Sequence, residues 1–176
     1  MIFTETIIKG AFIIEPELRM DKRGFFARSY CRDEFGNHGL DTSIAQCNIS
    51  YNKNKGTMRG MHYQAPPYEE AKIVSCTRGA IFDVILDLRR NSKTFRQWAA
   101  IELTDKNFKM VYIPKGCAHG FQTLKDNTMV YYQMTEVFHP EFACGVKWDD
   151  PAFGIQWPSG KKIISEKDTL FPGFCI

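Results

Sequence analysis

No apolar run in residues 1–176 is long enough to cross a bilayer, no two cysteines are spaced as CxxC, and no segment is dense in Lys and Arg. A transmembrane helix needs about 20 consecutive apolar residues, so the first absence excludes membrane-spanning helices. The six cysteines are scattered, and the first ten residues, MIFTETIIKG, carry no long apolar segment. Both features predict a cytoplasmic protein with reduced thiols, without a secretory leader or a disulfide framework.

The charged residues exclude a class of partner. Lys and Arg number 23 against 20 Asp and Glu, and the interspersed signs leave a net charge of +3. A nucleic-acid-binding surface needs cations massed on one face, so we expect none here. A local cluster of a few cations still suffices to hold a phosphorylated small molecule. The length of 176 residues fits a single domain, 1–176, with a buried core.

Helical periodicity is almost absent, and short segments rich in Val, Ile, Phe, Tyr and Thr recur between Gly, Pro, Asn and Asp. This pattern is typical of an antiparallel sandwich or barrel, so we predict an all-β jelly roll with short peripheral helices. The predicted strands are 12–14, 25–30, 44–51, 71–77, 79–87, 98–103, 108–113, 118–123 and 129–132. One helix is predicted over 31–38, and the proline-containing tail from Trp148 is predicted to lack regular structure.

Two histidines stand out as candidates for chemistry. His62 lies in RGMHYQ (59–64), directly after a glycine, and His119 lies in PKGCAHGF (114–121). If both segments are strands of one small barrel, the two imidazoles converge inside it. Histidine is often partly buried and hydrogen-bonded without a role in catalysis, so a structural role is the alternative for each.

A metal site is the first functional interpretation of these histidines. Metal-binding cupins resemble a pair of motifs, one with His-x-His and a downstream Glu, the other with a His after a Pro-x-Gly turn. The chain has Pro114, Gly116 and His119 for the second motif, but Gln64 stands where the first motif has its second imidazole. The usual set of three histidines is broken, so we predict no metal site.

Acid–base chemistry without a metal is the second interpretation. A histidine oriented by a carboxylate is a good general base near neutral pH, and an enolate formed beside a carbonyl needs a cation or a hydrogen-bond donor at its oxygen. Returning the proton on the opposite face needs a separate acid, and only one of two adjacent tyrosines in a strand points inward. The candidates are Lys72 or Arg59 for the enolate oxygen, Tyr131 or Tyr132 for the acid, and Asp168 or Asp83 for the carboxylate.

Sequence blocks that cover nearly the whole chain resemble, in order, the dTDP-4-dehydrorhamnose 3,5-epimerase family. The blocks are DKRGFF (21–26), QCNIS (46–50), GTMRGMHYQ (56–64), Lys72, DLR (87–89), IPKGCAHGF (113–121), WDDP (148–151) and SEKD (165–168). Several separate blocks in the right order are far more specific than any single motif.

The resemblance implies a cupin-like barrel that needs no metal or other cofactor and forms a homodimer. Such enzymes epimerise C3 and C5 of a nucleotide-linked 4-keto-6-deoxyhexose by removing and returning protons. By match of motif, His62 is the base, and Asp168 orients it. Lys72 stabilises the enolate, and Tyr132 returns a proton from the other face.

The resemblance also implies which residues bind the substrate. Two of them would line the sugar and phosphate pocket, and the others would hold the nucleotide, partly from the neighbouring subunit. The sugar and phosphate residues are Arg59 and His119, and the nucleotide residues are Arg23, Phe25, Gln46 and Asn48.

Three positions depart from the commonest pattern of the family. Arg28 stands where many members carry a Glu near the nucleobase, Phe138 where a Tyr is usual, and Ala143 where an acid often appears. A cation in place of a carboxylate changes that position from an acceptor to a donor of hydrogen bonds. A mono-epimerase acting on a CDP- or other nucleotide-linked sugar is therefore one alternative. A non-catalytic or metal-dependent cupin that binds a sugar nucleotide is the alternative from another class.

Overall fold

The structure, a computed structural model, describes residues 1–174, so that Cys175, one of the six predicted thiols, lies outside the described residues. Within that range the chain forms thirteen strands and two α-helices. The strands are β1 (Ile2–Glu5), β2 (Phe12–Glu15), β3 (Arg19–Asp21), β4 (Gly24–Phe26), β5 (Gln46–Asn52), β6 (Met58–Gln64), β7 (Lys72–Arg78), β8 (Ala80–Asp87), β9 (Trp98–Thr104), β10 (Met110–Ile113), β11 (Cys117–Thr123), β12 (Thr128–Met134) and β13 (Ala143–Gly145). The helices are α1 (Arg32–Asn37) and α2 (Glu166–Thr169), and a 3-10 turn covers Pro140–Phe142.

Two large antiparallel sheets make up the body of the molecule. The six-stranded sheet has the order β1-β2-β10-β7-β12-β5, and the five-stranded sheet has the order β13-β6-β11-β8-β9. The short strands β3 and β4 form a separate hairpin. The predicted all-β jelly-roll class with short peripheral helices is confirmed. No helix within residues 1–174 is long and apolar enough to cross a membrane.

Strand β8 shows how alternation builds two apolar layers. Ile81 and Ile85 belong to the main core, which joins residues of both large sheets. Val84 and Leu86 point to the opposite face, where they pack with Phe153 and other apolar residues of the C-terminal segment. Because both faces of the strand are covered, six of its eight positions are apolar, and the other two are the buried Asp83 and Asp87.

The structure corrects two predictions of local structure. The strand predicted over 25–30 ends at Phe26, because it belongs to the small β3–β4 hairpin and pairs with only three residues. The tail predicted to lack regular structure contains α2, whose first turn is capped by the Ser165 hydroxyl accepting from the Asp168 N–H at 3.1 Å. A helix of four residues is too short to produce apolar periodicity, so only its capping serine marks it in the sequence.

Candidate active site

A cavity of about 500 Å³ is lined by strands of both large sheets and by the C-terminal segment. It brings together most of the residues that the sequence predicted for catalysis and binding. The predicted residues that line it are Gln46, Asn48, Arg59, His62, Lys72, His119, Tyr132 and Phe138. The first seven lie on β5, β6, β7, β11 and β12, so a rigid sheet framework positions them.

His62 is paired with a carboxylate from the other end of the chain. Its Nε2 lies 2.7 Å from Oδ1 of Asp168, which is carried by α2. The side chain of His62 is 42 % exposed, whereas that of Asp168 is 6 % exposed. The carboxylate is therefore held behind the imidazole, and the imidazole faces the cavity.

The environment of Asp168 favours its charged form. Burial raises the pKa of this carboxyl, but hydrogen bonds from His62, the Gly60 backbone and Ser165 outweigh burial, so that the pKa lies below its usual value. An ionised Asp168 accepts hydrogen bonds only, which fixes Nε2 of His62 as the protonated nitrogen. The other imidazole nitrogen is then left with a free lone pair for a proton.

His119 forms a second histidine–aspartate pair beside the first. It lies directly opposite His62 in the pairing of β11 with β6. Its Nε2 is 2.7 Å from Oδ2 of Asp83, and both side chains are nearly inaccessible. Residue types alone left open whether Asp168 or Asp83 accompanies His62, and the family resemblance implied Asp168. The fold pairs His62 with Asp168 and gives Asp83 to His119.

Lys72 is buried at the cavity wall between two acceptors. Its Nζ lies 2.9 Å from Oε1 of Glu70 and 3.3 Å from the backbone oxygen of His62. Glu70 is thus engaged with a cation, and the two imidazoles are engaged with carboxylates. Within residues 1–174 no three His, Cys, Asp or Glu side chains are grouped as a metal ion would require.

Tyr132 enters the cavity from the six-stranded sheet. It lines the cavity, and its ring lies 6.2 Å from the His119 ring in an edge-to-face arrangement. Burial raises the pKa of Tyr132, and the nearby Asp83 carboxylate raises it further, so the phenol keeps its proton. Tyr131, the alternative acid, is not among the residues that line the cavity.

The rim of the cavity is shaped by a set of polar contacts. Nε of Arg59 donates to Oδ1 of Asn52 at 2.8 Å. Oε1 of Gln46 accepts from the Phe138 N–H at 2.9 Å, so the residue at the unusual position 138 is tied to a predicted nucleotide-binding residue. Ala143, the third unusual position, also lines the cavity.

Three predicted nucleotide-binding residues lie away from the cavity of their own subunit. Arg23 is at the β3–β4 turn and pairs with Asp21 at 2.6 Å. The ring centroid of Phe25 lies 4.7 Å from that of Phe108, in the loop before β10. Arg28 pairs with Glu34 at 2.6 Å. None of the three is among the residues that line the cavity.

The cavity is also lined by residues for which no role in binding a sugar was predicted, among them Ser50, Glu70, Lys167 and Phe171. The ring of Phe171 lies 5.6 Å from that of His62, edge to face. It occupies a notch at Gly145, where an added Cβ would lie 2.4 Å from Phe171 Cζ. The glycine is visible in the sequence, but nothing in the sequence connects it with Phe171.

These groups form a constellation suited to proton transfer at carbon. One wall, the five-stranded sheet, carries a histidine oriented by a carboxylate. The opposite wall carries a buried ammonium and a protonated phenol, Lys72 and Tyr132. The site thus holds groups that are chemically able to act as a base, as a cation beside a developing oxyanion and as an acid.

The sequence profile of the dTDP-4-dehydrorhamnose 3,5-epimerase family matches residues 5–175. The chain belongs to this family. It is 43% identical to the dTDP-4-dehydrorhamnose 3,5-epimerase of Methanothermobacter thermautotrophicus, over 94% of this chain and 90% of the relative. Membership makes the chain a sugar epimerase, an enzyme of the isomerase class.

Solved structures of the family share the fold closely. The dTDP-4-dehydrorhamnose 3,5-epimerase of Bacillus anthracis, with TDP and PPi bound, has a TM-score of 0.94 and 40% identity, covering 98% of each chain. ChmJ, a 3'-monoepimerase of Streptomyces bikiniensis in complex with dTDP-quinovose, has a TM-score of 0.88 and 31% identity, covering 96% of this chain and 85% of its own. The solved structures similar to this chain therefore include a 3,5-epimerase and a 3'-monoepimerase.

Proposed function

We propose that this chain epimerises C3 and C5 of a dTDP-linked 4-keto-6-deoxyhexose. The observation that carries the proposal is the distribution of groups over the cavity walls. His62, with Asp168 behind it, lies on the five-stranded sheet, and Tyr132 lies on the six-stranded sheet that faces it. Inversion at carbon requires a proton to leave one face and another to arrive at the opposite face, and two facing walls suit that requirement.

His62 removes the proton in this proposal. A carbon next to a ketone loses its proton to form an enolate, and the base must present a free lone pair to that carbon. The bond to Asp168 orients the ring and stabilises the imidazolium that forms. The exposure of the His62 ring to the cavity supports this role.

Lys72 stabilises the oxygen that becomes negative. The charge of the enolate resides on the oxygen at C4, and a preorganised buried cation lowers the energy of that state more than an exposed one. Two of the three donors of the ammonium are used by Glu70 and by the backbone oxygen of His62. The third donor is available to the substrate.

Tyr132 returns the proton. A phenol whose pKa is raised by burial stays protonated until a carbanion-like carbon is presented to it. Each inversion leaves His62 protonated and Tyr132 deprotonated. Both groups therefore have to exchange protons with water before the second carbon is inverted, and again before the next turnover. The reaction, as proposed, needs only the side chains of the chain itself.

The nucleotide is proposed to bind at the rim, partly through a second copy of the chain in a homodimer. Gln46, Asn48 and Arg59 lie at the cavity, whereas Arg23 and Phe25 lie on a separate hairpin. That hairpin exposes apolar surface, with Phe26 71 % exposed, and such surface favours contact with another subunit. We also propose a cytoplasmic location, since the cysteines of residues 1–174 are free thiols.

A mono-epimerase is the second candidate function. Phe138 and Ala143 lie at the cavity and provide no hydrogen-bonding side-chain group there. A pocket with fewer polar partners holds the sugar less firmly in the orientation needed for a second proton transfer. ChmJ, a 3'-monoepimerase, shares the fold at 31% identity.

The test is proton NMR in deuterated water with the dTDP-linked 4-keto-6-deoxyglucose, and then with its CDP-linked analogue. We expect deuterium to enter both C3 and C5 of the dTDP sugar. Entry at one carbon would favour the mono-epimerase, and entry only with the CDP sugar would replace the proposed nucleotide. Absence of exchange with both sugars would contradict the proposed reaction.

A further inference from the structure

Glu70 is a buried carboxylate in the wall of the cavity that the mechanism leaves without a task. It lies just before β7, and its side chain is 3 % exposed. It lines the same cavity as His62 and Lys72. Burial of a charge is costly unless every acceptor is satisfied, so each of its two oxygens requires a partner.

Only one of the two oxygens has a partner within the described chain. Oε1 lies 2.9 Å from Nζ of Lys72. Oε2 is buried and receives no hydrogen bond from any group of residues 1–174. Leaving a buried carboxylate oxygen without a donor costs more free energy than one hydrogen bond normally contributes. A donor supplied by the occupant of the cavity would remove that cost.

The position of this oxygen beside Lys72 specifies the kind of donor. Lys72 and Glu70 both line the cavity, and the partnerless Oε2 belongs to the carboxylate that lies directly next to the Lys72 ammonium. The complementary ligand has an acceptor and a donor on neighbouring atoms. A ketone with a hydroxyl on the adjacent carbon has that arrangement, and a 4-ketohexose carries it at C4 and C3.

We propose that Glu70 is a specificity-determining residue whose Oε2 accepts a hydrogen bond from the C3 hydroxyl of the sugar while Lys72 donates to the C4 oxygen. This inference rests on the proposed epimerase function. It assigns the Glu70–Lys72 pair to recognition of an α-hydroxy ketone rather than of a ketone alone. Hydrogen bonds to charged groups are the stronger kind, so the hydroxyl contributes substantially to binding of the transition state.

The test measures deuterium exchange at C5, a carbon that exchanges whether or not C3 carries a hydroxyl. The substrates are the dTDP-linked 4-keto-6-deoxyglucose, its 3-deoxy analogue and its 2-deoxy analogue. We expect the unmutated enzyme to lose about 10- to 100-fold in kcat/KM with the 3-deoxy analogue, the range expected for one hydrogen bond to a charged group. The 2-deoxy analogue should be affected much less.

Glu70→Gln is the informative variant. Its amide oxygen is needed by Lys72, so its NH2 group faces the cavity and cannot accept from a hydroxyl. The variant is expected to have a lower kcat/KM with the parent sugar than the unmutated enzyme. Its kcat/KM should fall only about threefold further with the 3-deoxy analogue, since the substitution and the missing hydroxyl remove the same interaction. Glu70→Asp, which keeps the charge but withdraws it by one methylene, should behave in the same way.

Glu69→Gln is the matched control, because Glu69 is the adjacent residue and does not line the cavity. Its kcat/KM should fall as much with the 3-deoxy analogue as that of the unmutated enzyme. The inference fails if Glu70→Gln loses as much kcat/KM with the 3-deoxy analogue as the unmutated enzyme does. It also fails if the unmutated enzyme loses kcat/KM with the 2-deoxy analogue instead of the 3-deoxy analogue. Lack of exchange by the unmutated enzyme with the parent sugar would instead overturn the proposed function, and this inference with it.

Discussion

The two histidine–aspartate pairs of the cavity have the same bond and different surroundings. In each pair a histidine Nε2 lies 2.7 Å from a carboxylate oxygen, and the two histidines are opposite one another on β6 and β11. The His62 side chain is 42 % exposed and that of His119 is 6 % exposed. The carboxylate of His62 comes from the C-terminal helix α2, and that of His119 from the core strand β8.

The comparison shows that the two pairs differ in access to the cavity rather than in their hydrogen bond, and this difference is the basis for proposing His62 as the base and His119 as a binding residue. A general base has to reach the carbon whose proton it removes, and a ring that is nearly half exposed in a cavity has that reach. A ring enclosed between its carboxylate and Tyr132 serves better as a fixed hydrogen-bonding group. Substitutions in and around the two pairs test this difference.

Replacing the two histidines in turn gives the largest contrast. His62→Asn should lower exchange of the C3 and C5 protons by about 10³-fold or more, since general base catalysis contributes up to about 10⁴-fold. His119→Asn should mainly raise KM for the nucleotide sugar. Both rates are measured by NMR in deuterated water, with thermal unfolding as the check on folding. Unchanged exchange in the His62→Asn variant would show that His62 is not the base.

Tyr132→Phe separates loss of a proton from its return. The variant should keep exchange of the substrate protons while product formation falls by about 10²-fold, because only the acid is removed. Exchange and epimerised product are followed in the same NMR sample. Product forming at the unmutated rate would assign the acid to another group.

The two carboxylates should respond differently to the same substitution. Asp168→Asn is expected to lower exchange by about 100-fold, since the imidazole loses the charge that orients it and stabilises its protonated form. Asp83→Asn should lower exchange less than about tenfold and reduce the free energy of unfolding by about 1 kcal/mol, because it weakens a buried hydrogen bond. Exchange rates and urea unfolding of both variants provide the measurement, and equal losses of exchange would contradict the distinction.

Gly145→Ala tests how far the His62 pair depends on the packing around it. The added Cβ would lie 2.4 Å from Cζ of Phe171, so the ring that contacts His62 has to move. We expect exchange to fall by about tenfold, less than the roughly 10²-fold cost of misplacing a reacting group by 1 Å.

Two further variants identify the cause of that loss. Gly36→Ala is the control, since an added Cβ there meets nothing within 4 Å. Combining Gly145→Ala with Phe171→Leu should restore part of the rate, because a smaller side chain leaves room for the methyl group. A double variant as slow as Gly145→Ala alone would show that Phe171 does not transmit the effect.

Strand alternation accounts for much of what the sequence predicted correctly. It placed β8 in the core, and it required that only one of Tyr131 and Tyr132 enter the cavity. The predicted strands omit β6, for which strand structure was only a condition of the argument about His62. They also miss β1, β3 and β13, which have three or four residues and lie at sheet edges or in a hairpin. Such strands are too short for a periodic signal and are defined by their partners.

Residue identity and strand periodicity are local properties, so they were enough to predict the chemical groups of the site, the all-β class and the family resemblance. The family resemblance paired Asp168 with His62, a residue 106 positions away, whereas residue types alone left Asp83 as an alternative; the fold pairs Asp168 with His62 and Asp83 with His119. It also placed the free oxygen of Glu70 beside Lys72 and left Arg23 outside its own cavity. These arrangements follow from the packing of distant segments, and local periodicity carries no information about which distant segments meet.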